Sequence, residues 1–116
     1  MLADTPEYLP RANEAFIDPA KITRYLLALG HPKGRSNAAF FMSIGFQLAD
    51  WEALRDALLR HGLSNRVAFV QRTRFGMLYS VEGEMPSPDG RMPTVRSVWV
   101  ILSEPAPPRF VTAYPL

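Results

Sequence analysis

Residues 67–81 read VAFVQRTRFGMLYSV, and the fold follows from how this stretch is divided. Up to Arg74 the run is rich in β-branched and aromatic residues, as a half-buried strand requires. Phe75-Gly76 then interrupts it, and Met77 onwards resumes an extended pattern. The simplest reading is a hairpin, with strands near Val67 to Arg74 and Met77 to Met85. Two further runs follow. Thr94 to Leu102 is separated from the second by Pro86 to Arg91, and Phe110 to Tyr114 lies beyond Pro105 to Pro108. Within the first of these linkers, Pro88-Asp89-Gly90 supplies a preset φ and a residue tolerant of positive φ, the chemistry of a turn. Val98 to Leu102 is apolar at every position, which predicts an inner strand covered on both faces over its second half.

Upstream of residue 67 the period is helical. Asp18-Pro19 is an N-cap with proline at the first helical position, and Ile22, Tyr25, Leu26 and Leu29 follow at helical spacing up to Gly30. A second helix is expected from an N-cap at Ser36 to Gly45; it is apolar nearly all round and should be buried. The third, from Asp50 to Gly62, places Trp51, Leu54, Ala57 and Leu58 on one stripe. Residues 1–17 read as an extended lead-in and 18–116 as one domain. Three helices followed by four mostly antiparallel strands define an α+β architecture, with the helices on one face of the sheet and the other face free to bind.

Composition narrows the function classes. The chain has 116 residues, 47% hydrophobic and 21% charged, which suits a globular domain. No apolar run approaches the roughly 20 residues a membrane span needs, so no membrane is expected. With no cysteine and only His31 and His61 as imidazoles, a structural zinc is excluded, and neither a metal nor another cofactor is expected. No signal segment opens the chain, which implies a cytoplasmic site of action or delivery by larger machinery. The net charge is only +2, but 11 of the 13 basic residues are arginine, whose planar fork suits phosphate.

The polar connection from Gly30 to Asn37 holds His31, Lys33 and Arg35 between one helix end and the next helix start, where a phosphate is favoured. His31 could move a proton near neutral pH, and Arg35 could fork onto phosphate oxygens. His61 reads instead as a charge partner at its helix C-terminus, and Trp51 and Trp99 as core. Strand alternation suggests that Arg72, Tyr79 and Arg96 share one face, suited to an RNA backbone; a register slip of one residue inverts this, and pairing of the arginines with Glu82 and Glu84 is the alternative. In the last strand, Phe110, Thr112 and Tyr114 point one way and Arg109, Val111 and Ala113 the other.

Asp18-Pro19-Ala20-Lys21, His31-Pro32, Gly34-Arg35-Ser36, Phe40-Phe41, Gly45-Phe46, Trp51, Pro88-Asp89-Gly90-Arg91, Trp99 and residues 109–115 together resemble a family of small bacterial domains. Its members stand beside antitoxin-like genes or end larger toxin-like and phage-like proteins. More distantly, the chain resembles the RelE, barnase and colicin ribonuclease toxins. The resemblance implies metal-independent RNA cleavage by 2′-hydroxyl attack, on an RNA such as a tRNA or mRNA, and neutralisation by a cognate antitoxin or immunity protein. It also implies roles: His31 as general acid or base, Lys33, Arg35 and Arg72 as phosphate stabilisers, and Tyr79, Thr112 and Tyr114 as proton-moving or substrate-contacting groups. Ser36, Arg96 and Arg109 complete the expected substrate-binding set. The chain departs from the pattern at Asn37, where lysine is common. A non-catalytic RNA- or protein-binding domain in a toxin–antitoxin or phage-related assembly is the alternative reading.

Overall fold

A computed structural model describes residues 5–32, 35–103 and 105–116. Helix α1 begins at Pro19, capped by the Asp18 carboxylate, which accepts from the Ala20 amide at 3.0 Å. After Lys21 it continues as a π-helical turn, Ile22–Leu26, closed by the Leu27 N–H on the Ile22 carbonyl at 2.8 Å. The helix thus stops short of Gly30, and Leu29 is exposed. Helix α2 (Arg35–Ser43) starts one residue before the expected cap, within the usual uncertainty of helix ends. It buries Ala38 and Phe41 but leaves Ala39 and Met42 exposed, so only one stripe of the expected apolar surround is covered.

Helix α3 (Trp51–Ser64) runs through Gly62 instead of ending there. The reason is steric. A Cβ at Gly62 would lie 2.7 Å from Cζ2 of Trp99, so this glycine serves close helix–sheet approach, not chain reversal. Gly62→Ala is therefore expected to cost about 1–3 kcal/mol, measured by urea denaturation; an unchanged midpoint would show that the indole moves aside freely.

The four strands are β1 (Val67–Thr73), β2 (Gly76–Glu84), β3 (Thr94–Ile101) and β4 (Arg109–Pro115). They form an antiparallel sheet in the order β1-β2-β3-β4. Arg74-Phe75 turns the first hairpin, with the Thr73 hydroxyl accepting from the Phe75 amide and donating to the Gly76 carbonyl. The second linker is held by Asp89, which accepts from the side chain and backbone of Arg91; the Arg91 hydrogen bond pulls its pKa down to about 2. Arg91 also donates to the Ser43 carbonyl at the end of α2.

Register fixes the two faces. Tyr79 pairs with Trp99 and Val81 with Ser97, and these residues are buried under the helices together with Val95, Ile101, Phe110 and Ala113. Ile22, Leu26, Phe41, Leu54 and Leu58 fill the helical side of this core. The N-terminal segment joins it through Leu9 and Ile17, and Phe16 makes a parallel bridge to Arg109 at the free edge of β4. The opposite face presents Leu78, Glu82, Arg96, Val100, Thr112 and Tyr114 by strand parity. On this face Val98 is buried, but Val100 is only half-buried and Leu102 is 47% exposed, so cover of the apolar run in β3 thins towards its end.

Candidate functional site

The N-terminal helix and the last strand meet at the β4 edge. Tyr25, carried by the π turn of α1, brings its hydroxyl to 3.2 Å from Thr112 Oγ1. His31, five residues beyond the π turn, sets its ring edge-on to Tyr25 at 5.1 Å between centroids and 88° between planes. Lys21 lies one turn before Tyr25 and holds its Nζ 5.8 Å from the same ring centroid. A histidine, two hydroxyls and an ammonium thus share one neighbourhood, half-buried and reachable from solvent. Sequence reasoning named His31 and Thr112 but used Tyr25 only as an apolar stripe residue. The missed signal was its spacing from Lys21, four residues, which stacks the two side chains on one helical face.

Beside Thr112 on the same strand face, Tyr114 accepts a hydrogen bond from Arg96 at 3.1 Å. The Arg96 guanidinium also binds the Glu82 carboxylate, with Nε to Oε2 at 2.7 Å, and lies over the rings of Phe69 and Tyr114. The hydrogen bonds to Tyr114 and Glu82 raise its pKa above the ordinary arginine value. Arg96 pairs with Glu82 in the ladder, the alternative to a shared face with Arg72 and Tyr79 and the result of a one-residue slip in register.

That slip separates the expected trio. Arg72 and Tyr79 have the parity of the helix side, with Tyr79 only 7% exposed, whereas Arg96 is on the open side. Arg35 donates from Nε to the Leu29 carbonyl at 3.2 Å; Ser36 is exposed within the first turn of α2. Arg109 is exposed and stacks on Phe16 at 5.2 Å. Lys33 lies outside the described residues.

His61 does not act as a surface charge at a helix end. It is 2% exposed and bonded on both nitrogens. Nε2 faces two carbonyls, Val95 at 2.9 Å and Gly83 at 3.1 Å, so it must carry the proton. Trp99 Nε1 donates to Ser97 Oγ at 2.9 Å, which leaves the Ser97 hydroxyl to donate to His61 Nδ1 at 2.8 Å. This relay pins α3 to β2 and β3 and requires a neutral imidazole. Burial lowers the His61 pKa below its ordinary value, partly offset by the bonds to Gly83 and Val95. Among the described residues, no three His, Asp or Glu side chains converge as metal ligands would, and no helix is long and apolar enough to cross a membrane.

Helices on one face of a four-stranded antiparallel meander, with a polar cluster at the open edge, define an α+β domain whose site is assembled from its two ends. The chain belongs to the family described as a domain of unknown function, DUF6883, whose model matches residues 8–116. No curated protein matches it. Among solved structures, it is similar to a chain of a contact-dependent growth inhibition toxin–immunity protein complex from Klebsiella pneumoniae 342, with a TM-score of 0.67 and 16% identity, covering 86% of this chain and 98% of that one. At that identity the likeness speaks for the fold.

Proposed function

We propose that the domain is a bacterial toxin that cleaves RNA without a metal ion and is held in check by a cognate antitoxin or immunity protein. The observation that carries this reading is the cluster of His31, Tyr25 and Thr112 with Lys21 beside it. Cleavage by the 2′-hydroxyl needs a base to take its proton as the oxygen attacks phosphorus, and an acid to protonate the departing 5′-oxygen. The products are a 2′,3′-cyclic phosphate and a 5′-hydroxyl. His31 supplies one of these roles; Tyr25 and Thr112, sharing a proton, orient the substrate or pass the second proton. Lys21 and Arg35 provide positive charge where the phosphorane carries extra negative charge; Lys33, outside the described residues, keeps the role expected of it from the sequence. The fold likeness to a chain of a toxin–immunity complex supports the pairing with a neutralising protein.

The test is incubation of the purified protein with total RNA in EDTA, followed by sequencing of fragment ends. Discrete fragments with cyclic phosphate termini are expected. Intact RNA, with the protein demonstrably folded, would leave the second reading: a non-catalytic RNA- or protein-binding domain. That alternative draws on one observation, the neutralisation of Arg96 by Glu82 on the open face, which removes a cation a nuclease could use. It also suits the fold likeness, since the solved complex pairs a toxin with an immunity protein.

A further inference from the structure

The open face of the sheet contains a groove that extends away from the cluster at the β4 edge. One depression of about 570 Å³ has a floor of Leu78, Val100 and Val111 and is bordered by Gln71, Arg74 and Phe75. A second, of about 200 Å³, shares Val100 and Val111 with it and is bordered by Lys21, Arg109 and Phe16. The two therefore adjoin, crossing all four strands over three inter-strand spacings, roughly 14 Å.

The groove gathers cations that stand outside the ion pairs of the surface. Elsewhere Arg11, Arg55, Arg66, Arg91 and Arg96 each face a carboxylate. Lys21, Arg74 and Arg109 take part in none of these ion pairs, and among the described groove residues Asp18, engaged as the cap of α1, is the one acid. At each end an arginine lies over a phenylalanine ring: Arg109 over Phe16 at 5.2 Å and Arg74 over Phe75 at 5.3 Å. Phe75 is 70% exposed at the hairpin tip.

We infer that this groove is a track for single-stranded RNA, deepening the proposed function by naming the substrate class and the path it takes past the cluster. Three cations outside the ion pairs suit phosphates, and the apolar floor with an arginine–phenylalanine pair at each end suits unpaired base faces. A duplex would satisfy the cations but leave the floor and rings without partners, because its bases are stacked internally. Lys21 belongs both to the groove and to the ring contact with Tyr25, so the track leads directly to the reacting groups.

The test uses a short, fluorescent 2′-O-methyl oligouridylate, which lacks the attacking hydroxyl and reports binding without turnover. Fluorescence anisotropy should show it bound at least tenfold more tightly than the same strand annealed to its 2′-O-methyl complement, with Phe75→Ser weakening binding roughly tenfold. At about 0.7 per phosphate contact, Arg74→Ala with Arg109→Ala should lessen the salt slope by roughly 1.4. Arg55→Ala, remote from the groove, serves as the control and should change neither. Equal binding of the duplex, an unchanged affinity in Phe75→Ser, or equal competition by poly-glutamate, the signature of an acidic protein partner, would each overturn the inference. Groove-dependent binding without cleavage of natural RNA would remove the catalytic reading alone; cleavage with binding indifferent to Arg74, Arg109 and Phe75 would remove the track alone.

Discussion

Replacing His61 with alanine is expected to destabilise the protein by about 3–5 kcal/mol, the sum of a buried cavity and polar groups stripped of their partner. The variant leaves the Val95 and Gly83 carbonyls without their donor and the Ser97 hydroxyl without its acceptor. The same relay predicts a pH dependence. Unfolded, His61 titrates near 6.5, while burial lowers its value in the fold. Between the two values the unfolded chain binds a proton that the folded chain refuses. The contribution is therefore complete above pH 6.5 and is lost as pH falls towards the folded value, by up to about 1.4 kcal/mol per pH unit. Urea titrations at pH 7.5 and 5.5 separate this from other groups, because the difference between wild type and His61→Ala should shrink at the lower pH. A cost below about 1 kcal/mol, or a difference that does not change with pH, would show that the relay is not closed in solution.

The second large effect is on activity. Under the proposed function, His31→Ala should lower the cleavage rate by roughly 10²–10⁴-fold, the usual contribution of a positioned acid or base. Its stability should change little, since His31 is half-exposed and follows the helix instead of filling the core. Tyr25→Phe keeps the ring against His31 and removes only the hydroxyl near Thr112; a smaller fall, of the order of tenfold, is expected. Rates on a short RNA containing a mapped cleavage site, measured at saturating substrate, distinguish chemistry from binding. Retention of full activity by His31→Ala would remove the histidine from the mechanism and with it the central support for the nuclease reading.

Helix and strand types were legible because hydrophobic period is local. The third helix and all four strands lie close to where periodicity put them. The first hairpin turns at Arg74-Phe75, one residue before the Phe75-Gly76 that the sequence suggests, with Gly76 at positive φ, and the linker at Pro88-Asp89-Gly90 follows from a proline that presets φ and a glycine that admits positive φ. The errors fall where a distant residue decides. Gly62 carries the composition of a helix stop, but Trp99, packed against it from β3, makes it a contact glycine inside the helix. The π turn at Ile22–Leu26 has no compositional marker and ends α1 early.

Candidate residues divided in the same way. His31, Thr112 and Tyr114 were visible as residue types, and the α+β architecture with one free sheet face was set by the order of helical and extended periods. Tertiary structure decided which of them meet. A one-residue register sends Arg72 and Tyr79 to one side and Arg96 to the other, because side chains alternate along a strand. The meeting of Tyr25 with Thr112 joins residues 87 apart in sequence. The neutral state of His61 and the groove between Arg109 and Arg74 likewise arise only when separate strands and helices assemble. The sequence by itself determined the elements and the chemistry they carry, since propensity and period act over a few residues; proximity, burial and charge compensation act across the whole fold, and only the folded chain contains them.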